Sequence, residues 1–228
     1  MTTLPTTSVP TTSGPTESGP VKLVLATHNA HKVVELRRIL GASLDGIELI
    51  AYDGPEPVED GETFDANALI KARAASEHTG LPAIADDSGI AVAALGGAPG
   101  INSARYAGTR NDADNVRLLL ANLVGHEERG AQFVCAAALV VPAPVGAVGP
   151  DGPAEDAASF EWVETGVWAG TVLHEAVGGG GFGYDPVFKP AGYNVSSAEL
   201  HADEKNAISH RARAFAALMP VVRERLVP

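Results

Sequence analysis

The chain of 228 residues sets 16 Lys and Arg against 28 Asp and Glu, a formal net charge of −12 at pH 7, and 45% of it is apolar. That balance speaks against a general nucleic-acid binder, whose affinity comes largely from Lys and Arg releasing counterions. Length and apolar content suffice for one core or two joined lobes, which excludes disorder throughout.

No apolar run reaches the roughly 18 residues of a membrane span, and no signal-peptide pattern opens the chain. A cytoplasmic protein with no membrane or nucleic-acid partner is expected. The single cysteine, Cys135, lies inside the apolar run Phe133–Val141 and reads as a buried, inert thiol.

Of the first 20 residues, 16 are Thr, Ser, Pro or Gly, which bury little; residues 1–20 are expected to be a disordered tail and residues 21–228 the folded body. Lys22–Ala26 predicts a strand. Val33, Leu36 and Leu40 then fall at i, i+3 and i+7, one face of a helix ending at Gly41. Thr63–Thr79 predicts a second helix, with Thr63 as N-cap and Gly80 just past the end. Leu81–Ala85 predicts a buried strand, Asn111–Val124 a helix, and Ala131–Val141 a long central strand.

Phe160–Leu173, interrupted by Glu164-Thr165-Gly166, predicts a bent strand or hairpin. Asp203–Met219 predicts a closing helix whose apolar positions are Ile208, Ala212, Phe215 and Met219. The Pro- and Gly-rich stretch Pro142–Ala158 reads as a surface excursion between two strands. Mixed α and β with a partly parallel sheet is the outcome.

Five stretches carry candidate chemistry. In Ala26-Thr27-His28-Asn29-Ala30-His31-Lys32 a strand hands over to a helix; the unpaired N–H groups of a helix start favour anions, and Thr27, Asn29 and Lys32 add a hydroxyl, an amide and an ammonium. Residues 45 to 65 hold eight carboxylates and no cation. Most would be a solvated face, but Mg²⁺ needs only one or two protein carboxylates beside water and phosphate oxygens.

Asp86-Asp87-Ser88 ends the strand expected at Leu81–Ala85, where α/β folds collect ligands; it would otherwise build an Asx turn. If the strand continues, the two carboxylates face opposite sides and one of them meets the cleft. Gly178-Gly179-Gly180-Gly181-Phe182-Gly183-Tyr184-Asp185 permits close backbone approach to a ligand, with Phe182 suited to stack on a base and Asp185 to accept a hydrogen bond from one. Lys205, Ser209, His210 and Arg211 share the last helix; Lys205 and Ser209 lie on one face, whereas Arg211, two beyond Ser209, cannot lie beside it on an ideal helix, though a site at a helix end or edge would gather them.

Taken in order, the blocks ATHNAHKVVEL, EDGETFDANALIKA, PAIADDSGIAV, GGAPGINSARYAG, GGFGYDPVF and SAELHADEKNAISHRARAF resemble the inosine triphosphate pyrophosphatase family. The resemblance runs from Val21 to about Phe215. It implies an elongated, two-lobed α/β fold with a mixed sheet flanked by helices and a central substrate cleft. It also implies Mg²⁺, commonly a homodimer, and hydrolysis of non-standard purine nucleoside triphosphates such as ITP, dITP and XTP to the monophosphate and pyrophosphate.

On that resemblance Thr27, Asn29 and Lys32 match the triphosphate loop, with His28, Ala30 and His31 inside it, and Lys71 a further substrate-contacting lysine. Glu59 and Asp87 match the metal-associated acids, Asp87 also the general base, and Ser88 a substrate contact. Phe182, Gly183, Tyr184 and Asp185 match the base-binding loop, and Lys205, His210 and Arg211 the contacts near the chain end. His28 departs from the family's frequent glycine, so its imidazole is expected either to crowd the triphosphate or to donate to it. The alternatives are a pyrophosphatase for another nucleotide class, such as dTTP or UTP, and a nucleotide-binding module without turnover.

Overall fold

The computed structural model of the chain describes residues 19–143, 148, 149, 152, 153 and 159–227. The segment expected to be a tail therefore lies outside the described residues except for Gly19 and Pro20, and so does much of the Pro142–Ala158 excursion. Of the latter, the two-residue strands β5 (Val148–Gly149) and β6 (Gly152–Pro153) pair with each other.

The elements in chain order are β1 (Val21–Leu25), α1 (Ala30–Leu40), β2 (Ile47–Ala51), α2 (Phe64–Thr79), β3 (Ala83–Val92), α3 (Asp112–Asn122) and β4 (Gly130–Val141). After β5 and β6 come β7 (Phe160–Val172), β8 (Phe188–Pro190), α4 (Ala202–Ile208) and α5 (His210–Leu226). The main sheet has six strands in the order β2-β1-β3-β4-β7-β8; β1 runs parallel to β2 and β3, and the remaining pairs are antiparallel. This is the mixed α/β sheet flanked by helices that the sequence predicts.

Alternation along β3 sorts the helices onto two faces. Ile84 joins a core with Leu36 and Leu40 of α1 and Phe215 and Leu218 of α5, whereas Ala83 and Ala85 join Ala68, Ala72 and Ala75 of α2. The small alanines on both sides let α2 lie close on the sheet. The far halves of the long strands build a third core, with Ile90, Val92, Phe133, Trp168 and Phe188 beside Leu119 of α3. Two packed regions thus share the long strands, and the cleft lies between them.

Thr63 caps α2, its hydroxyl accepting from the Ala66 N–H at 3.1 Å, and Gly80 ends it in the left-handed region at φ +67°. Three expectations need correction, and one strand is new. Asp86 and Asp87 do not precede a turn: β3 runs on to Val92 and pairs with β4 along its whole length, because cations on both faces of the sheet receive the two carboxylates. Phe160–Leu173 is neither bent into a hairpin nor broken at Gly166, since β7 pairs continuously with β4. A Cβ at Gly166 would strike the His210 carbonyl and the Ala214 amide, so this glycine admits α5 onto the strand.

The last helix is two helices, split at Ser209, whose extended backbone (φ −67°, ψ 163°) lets its hydroxyl accept from the Ala212 N–H at 3.2 Å and start α5. Finally, β2 lies unannounced within the acidic stretch, where Ile47, Leu49 and Ile50 pair with β1.

Candidate active site

A cavity of about 400 Å³ opens between the two packed regions. The residues that the resemblance places in the triphosphate loop, the metal-associated pair, the base-binding loop and the chain-end contacts, with Lys71 and Ser88, line it, apart from Ala30 and His31, which sit on the exposed first turn of α1; Asp86 and Ser209 are buried behind it. Its two ends differ in chemistry.

At one end, α2 faces Asp87. Lys71 donates to Asp87 Oδ1 at 2.9 Å and to Glu59 Oε2 at 3.0 Å, so one ammonium holds both carboxylates at a single point. Asn67, buried one turn earlier, donates from Nδ2 to Asp87 Oδ2 at 3.4 Å and accepts the Gly61 N–H at 2.9 Å, fixing the segment that carries Glu59. Burial raises the Asp87 pKa above the ordinary carboxylate value, although Lys71 and Lys32 pull against it. For Lys71, burial is outweighed by Asp87, Asp86 and Glu59, and its pKa is raised.

Among the described residues no three His, Cys, Asp or Glu converge to hold a metal by protein ligands alone. Glu59 and Asp87 are instead two carboxylates meeting one cation in an open cleft. That donor set fits Mg²⁺, which takes one or two protein carboxylates and completes its shell with water and phosphate oxygens.

The neighbouring carboxylate has a different surrounding. Asp86 is 1% exposed, and its Oδ2 accepts from Lys32 at 3.0 Å, from Arg211 Nε and Nη2 at 3.2 and 3.1 Å, and from Ser88 at 3.2 Å. Burial alone would raise its pKa, but Lys32, Arg211 and Lys71 hold it well below the usual carboxylate range. Arg211 also donates to Ser88 Oγ at 2.8 Å and to Glu35. Lys205 joins the same cluster, 3.3 Å from Glu35 and 2.6 Å from Asp185.

The loop before α1 is more self-contained than a bare helix start. Asn29 is its N-cap, and its Oδ1 accepts from the N–H groups of His31 and Lys32 at 2.9 and 3.2 Å, while Thr27 Oγ1 accepts from the Asn29 N–H at 3.2 Å. These N–H groups are therefore already paired, and a phosphate would have to displace the Asn29 carboxamide to reach them. His28 turns away: its Nε2–H donates to the Gly54 carbonyl at 2.9 Å and its ring meets the Tyr52 ring edge-on at 5.6 Å. The expected crowding of a phosphate is thereby relieved.

At the other end, the glycine-rich loop is wrapped around Asp185. One oxygen of this buried carboxylate accepts from the Phe182 N–H at 2.9 Å and from Lys205, the other from Ser197 at 2.8 Å. Its acceptors are thus engaged within the protein, and it clamps the loop rather than waiting for a base. Gly181, at φ +71°, leaves no room for a Cβ beside that carboxylate. Gly183 N–H donates to Asp112 at 2.6 Å, and the Tyr184 hydroxyl donates to the Ser103 carbonyl at 2.8 Å.

His210 is stacked on Phe133 with centroids 4.7 Å apart and planes at 10°, and its buried Nδ1 has no hydrogen-bond partner among the described residues. Burial and the nearby Arg211 and Lys205 keep its pKa well below the ordinary value, so the ring is neutral.

Sequence reasoning missed Glu35, Asn67 and Asp112. Glu35 is the only acid in α1 and lies one turn from Lys32, a usable signal; Asn67 and Asp112 look in sequence like ordinary helix-start polar residues.

The chain is similar in sequence and fold to known proteins. The model of the Ham1 family matches residues 23–221. A dITP/XTP pyrophosphatase of Leifsonia xyli subsp. xyli is 53% identical over 206 residues, covering 89% of this chain and 96% of that protein. The structure of a HAM1 protein from Coxiella burnetii superposes with a TM-score of 0.75 at 39% identity, covering 90% of this chain and 99% of the other. A nucleoside-triphosphatase / dITP/XTP pyrophosphatase from Mycobacterium abscessus does so with a TM-score of 0.66 at 44% identity, covering 89% of this chain and 100% of the other. With residues 23–221 matched by the family model and the fold shared with its solved structures, the chain belongs to the Ham1 family.

Proposed function

We propose that the protein hydrolyses non-standard purine nucleoside triphosphates, ITP, dITP or XTP, to the monophosphate and pyrophosphate, with Mg²⁺, and so clears them from the nucleotide pool. The observation that carries this reading is the two-ended cleft: Glu59, Lys71 and Asp87 at one end, Phe182, His210, Lys205 and Arg211 at the other, in a chain half identical to proteins named for that activity.

The triphosphate brings about four negative charges into an acidic protein, so the counter-charge must be local. Lys32 and Lys71 supply part of it. Mg²⁺ held by Glu59 and Asp87 would neutralise further charge on the phosphates and on the departing pyrophosphate. Asp87, made more basic by burial, takes a proton from the attacking water; the water oxygen bonds to the α phosphorus, the bond from that phosphorus to the α,β-bridging oxygen breaks, and pyrophosphate departs with the bridging oxygen. Lys71 keeps the Asp87 carboxylate oriented while this happens.

At the base end Phe182 offers a stacking face. Selection of a 6-oxo purine over adenine follows from donors meeting an acceptor: Lys205 and Arg211, both cationic and both lining the cleft, suit a carbonyl oxygen and would leave an amino group unpaired. His210 is neutral and lines the cleft, so it brings an uncharged imidazole to the base end beside the two cations.

The resemblance further implies a cytoplasmic homodimer; among the described residues no helix is long and apolar enough to cross a membrane. Light scattering of the full chain tests the dimer. The activity is tested by incubating the protein with Mg²⁺ and ITP, XTP, dTTP, UTP, ATP or GTP and measuring pyrophosphate. Release from ITP and XTP is expected. Preference for dTTP would overturn the substrate class, and binding without pyrophosphate would overturn the enzyme.

A further inference from the structure

Phe182 lines the cleft but belongs to none of the three apolar cores. Its backbone is fixed by the Asp185 clamp, whereas its ring has few supports. The glycines that precede it carry no side chains, and residues 174–181 are exposed. Two cations approach the ring, Lys205 Nζ at 5.2 Å and Arg211 Cζ at 5.7 Å from its centroid. One aromatic neighbour remains among the described residues: the imidazole of His31, 5.8 Å away with the planes at 25°.

His31 does not line the cleft itself. It stands one helical turn before Glu35, so the two share a stripe of α1. Through Glu35 that stripe grips Lys205 and Arg211; through His31 it meets the Phe182 ring. The same helix begins with the capped loop and Lys32. One rigid element therefore addresses both ends of the cleft.

We propose that His31 is a positioning residue that latches Phe182, backing its ring from the α1 side so that the purine meets a preset stacking face. Near-parallel aromatic rings at this separation attract one another, and a ring ordered before binding lowers the entropy lost when the base arrives. The inference rests on the reading of Phe182 as the base-stacking residue. It adds a specificity for the base to a helix turn whose sequence position suggests phosphate.

The test is steady-state pyrophosphate release from ITP with Mg²⁺, run beside inhibition by inorganic tripolyphosphate, which has the phosphates and no base. His31→Ala, an exposed change within the first helical turn, is expected to raise KM for ITP about tenfold. Its effect on kcat should be smaller, tripolyphosphate inhibition should be unchanged, and His31→Phe should restore KM. An unaltered KM, a parallel loss of tripolyphosphate inhibition, or failure of His31→Phe to rescue would each overturn the latch. Phe182→Ala separates this from the reading beneath it. If that variant leaves KM unchanged, base stacking itself falls; if it raises KM while His31→Ala does not, the latch alone falls.

Discussion

The carboxylates of Asp86 and Asp87, neighbours in β3, face opposite sides of the sheet: Lys32 and Arg211 meet the first, Lys71 and Asn67 the second. Asp86 is sealed in, held ionised by two cations from α1 and α5, while Asp87 lines the cleft and is made more basic by burial. Adjacent residues of one type thus meet different surroundings, one sealed among cations and the other open to the cleft.

The division is measurable. Asp86→Asn removes the carboxylate that Lys32 and Arg211 share, leaving Glu35 as the remaining anion on Arg211, and breaking a buried ion cluster in this way is expected to cost about 3–5 kcal/mol in denaturant unfolding. Asp87→Asn is expected to leave the unfolding midpoint close to wild type and to lower kcat about 10²–10⁴-fold, the usual contribution of a general base. Near-normal turnover in Asp87→Asn would remove that side chain from proton transfer.

Phe182→Ala removes the stacking face without disturbing an apolar core. The loss of ITP binding is expected to be about 1–3 kcal/mol, expressed mainly in KM. Discrimination between ITP and tripolyphosphate should shrink correspondingly, which an inhibition series reads directly.

Gly166→Ala places a methyl group against the His210 carbonyl and the Ala214 amide. Overpacking of this kind is expected to destabilise the protein by about 1–3 kcal/mol. It should also weaken ITP binding, because the displaced helix carries His210 and Arg211. Thermal unfolding and KM measured on the same preparation check both effects.

His210 gives a pH dependence with a definite sign. Its folded pKa lies well below the ordinary value, so between that pKa and about 6.5 the unfolded chain binds a proton that the folded chain refuses. Stability from this residue is therefore present above about pH 6.5 and falls as the pH is lowered, by at most about 1.4 kcal/mol per pH unit. Guanidinium unfolding at pH 7.5 and 5.5 should show a larger loss in wild type than in His210→Phe. Equal losses would mean that the imidazole is solvated in the folded protein.

How much of this was legible beforehand depended on whether the signal was local. The cap at Thr63, the glycine at position 80 and the apolar run of β4 announce themselves because each rests on a few contiguous residues. Asp87 and the glycine-rich loop could be singled out for the same reason. The course of β3 beyond Asp87 could not, because two adjacent acids look like a turn until the cations on either face are known, and those come from α1, α2 and α5.

Glu35 was harder to read for a related reason: its place one turn from Lys32 marks it within α1, but its main partner, Arg211, lies 176 residues away. The occupied N–H groups behind Asn29 and the engaged oxygens of Asp185 are likewise facts of three-dimensional pairing.

The interruption at Ser209 makes the cleft's cationic wall depend on a place where the helix fails to continue. In an unbroken helix, successive residues fan out by about 100°, and Lys205, His210 and Arg211 would be dispersed around its circumference. A single extended residue resets the rotation, so that α4 delivers an ammonium and α5 an imidazole and a guanidinium to the same wall. Substitutions that strengthen helicity across this point should therefore impair the protein while improving its local propensity, and their damage should appear at the base end of the cleft before it appears in the fold.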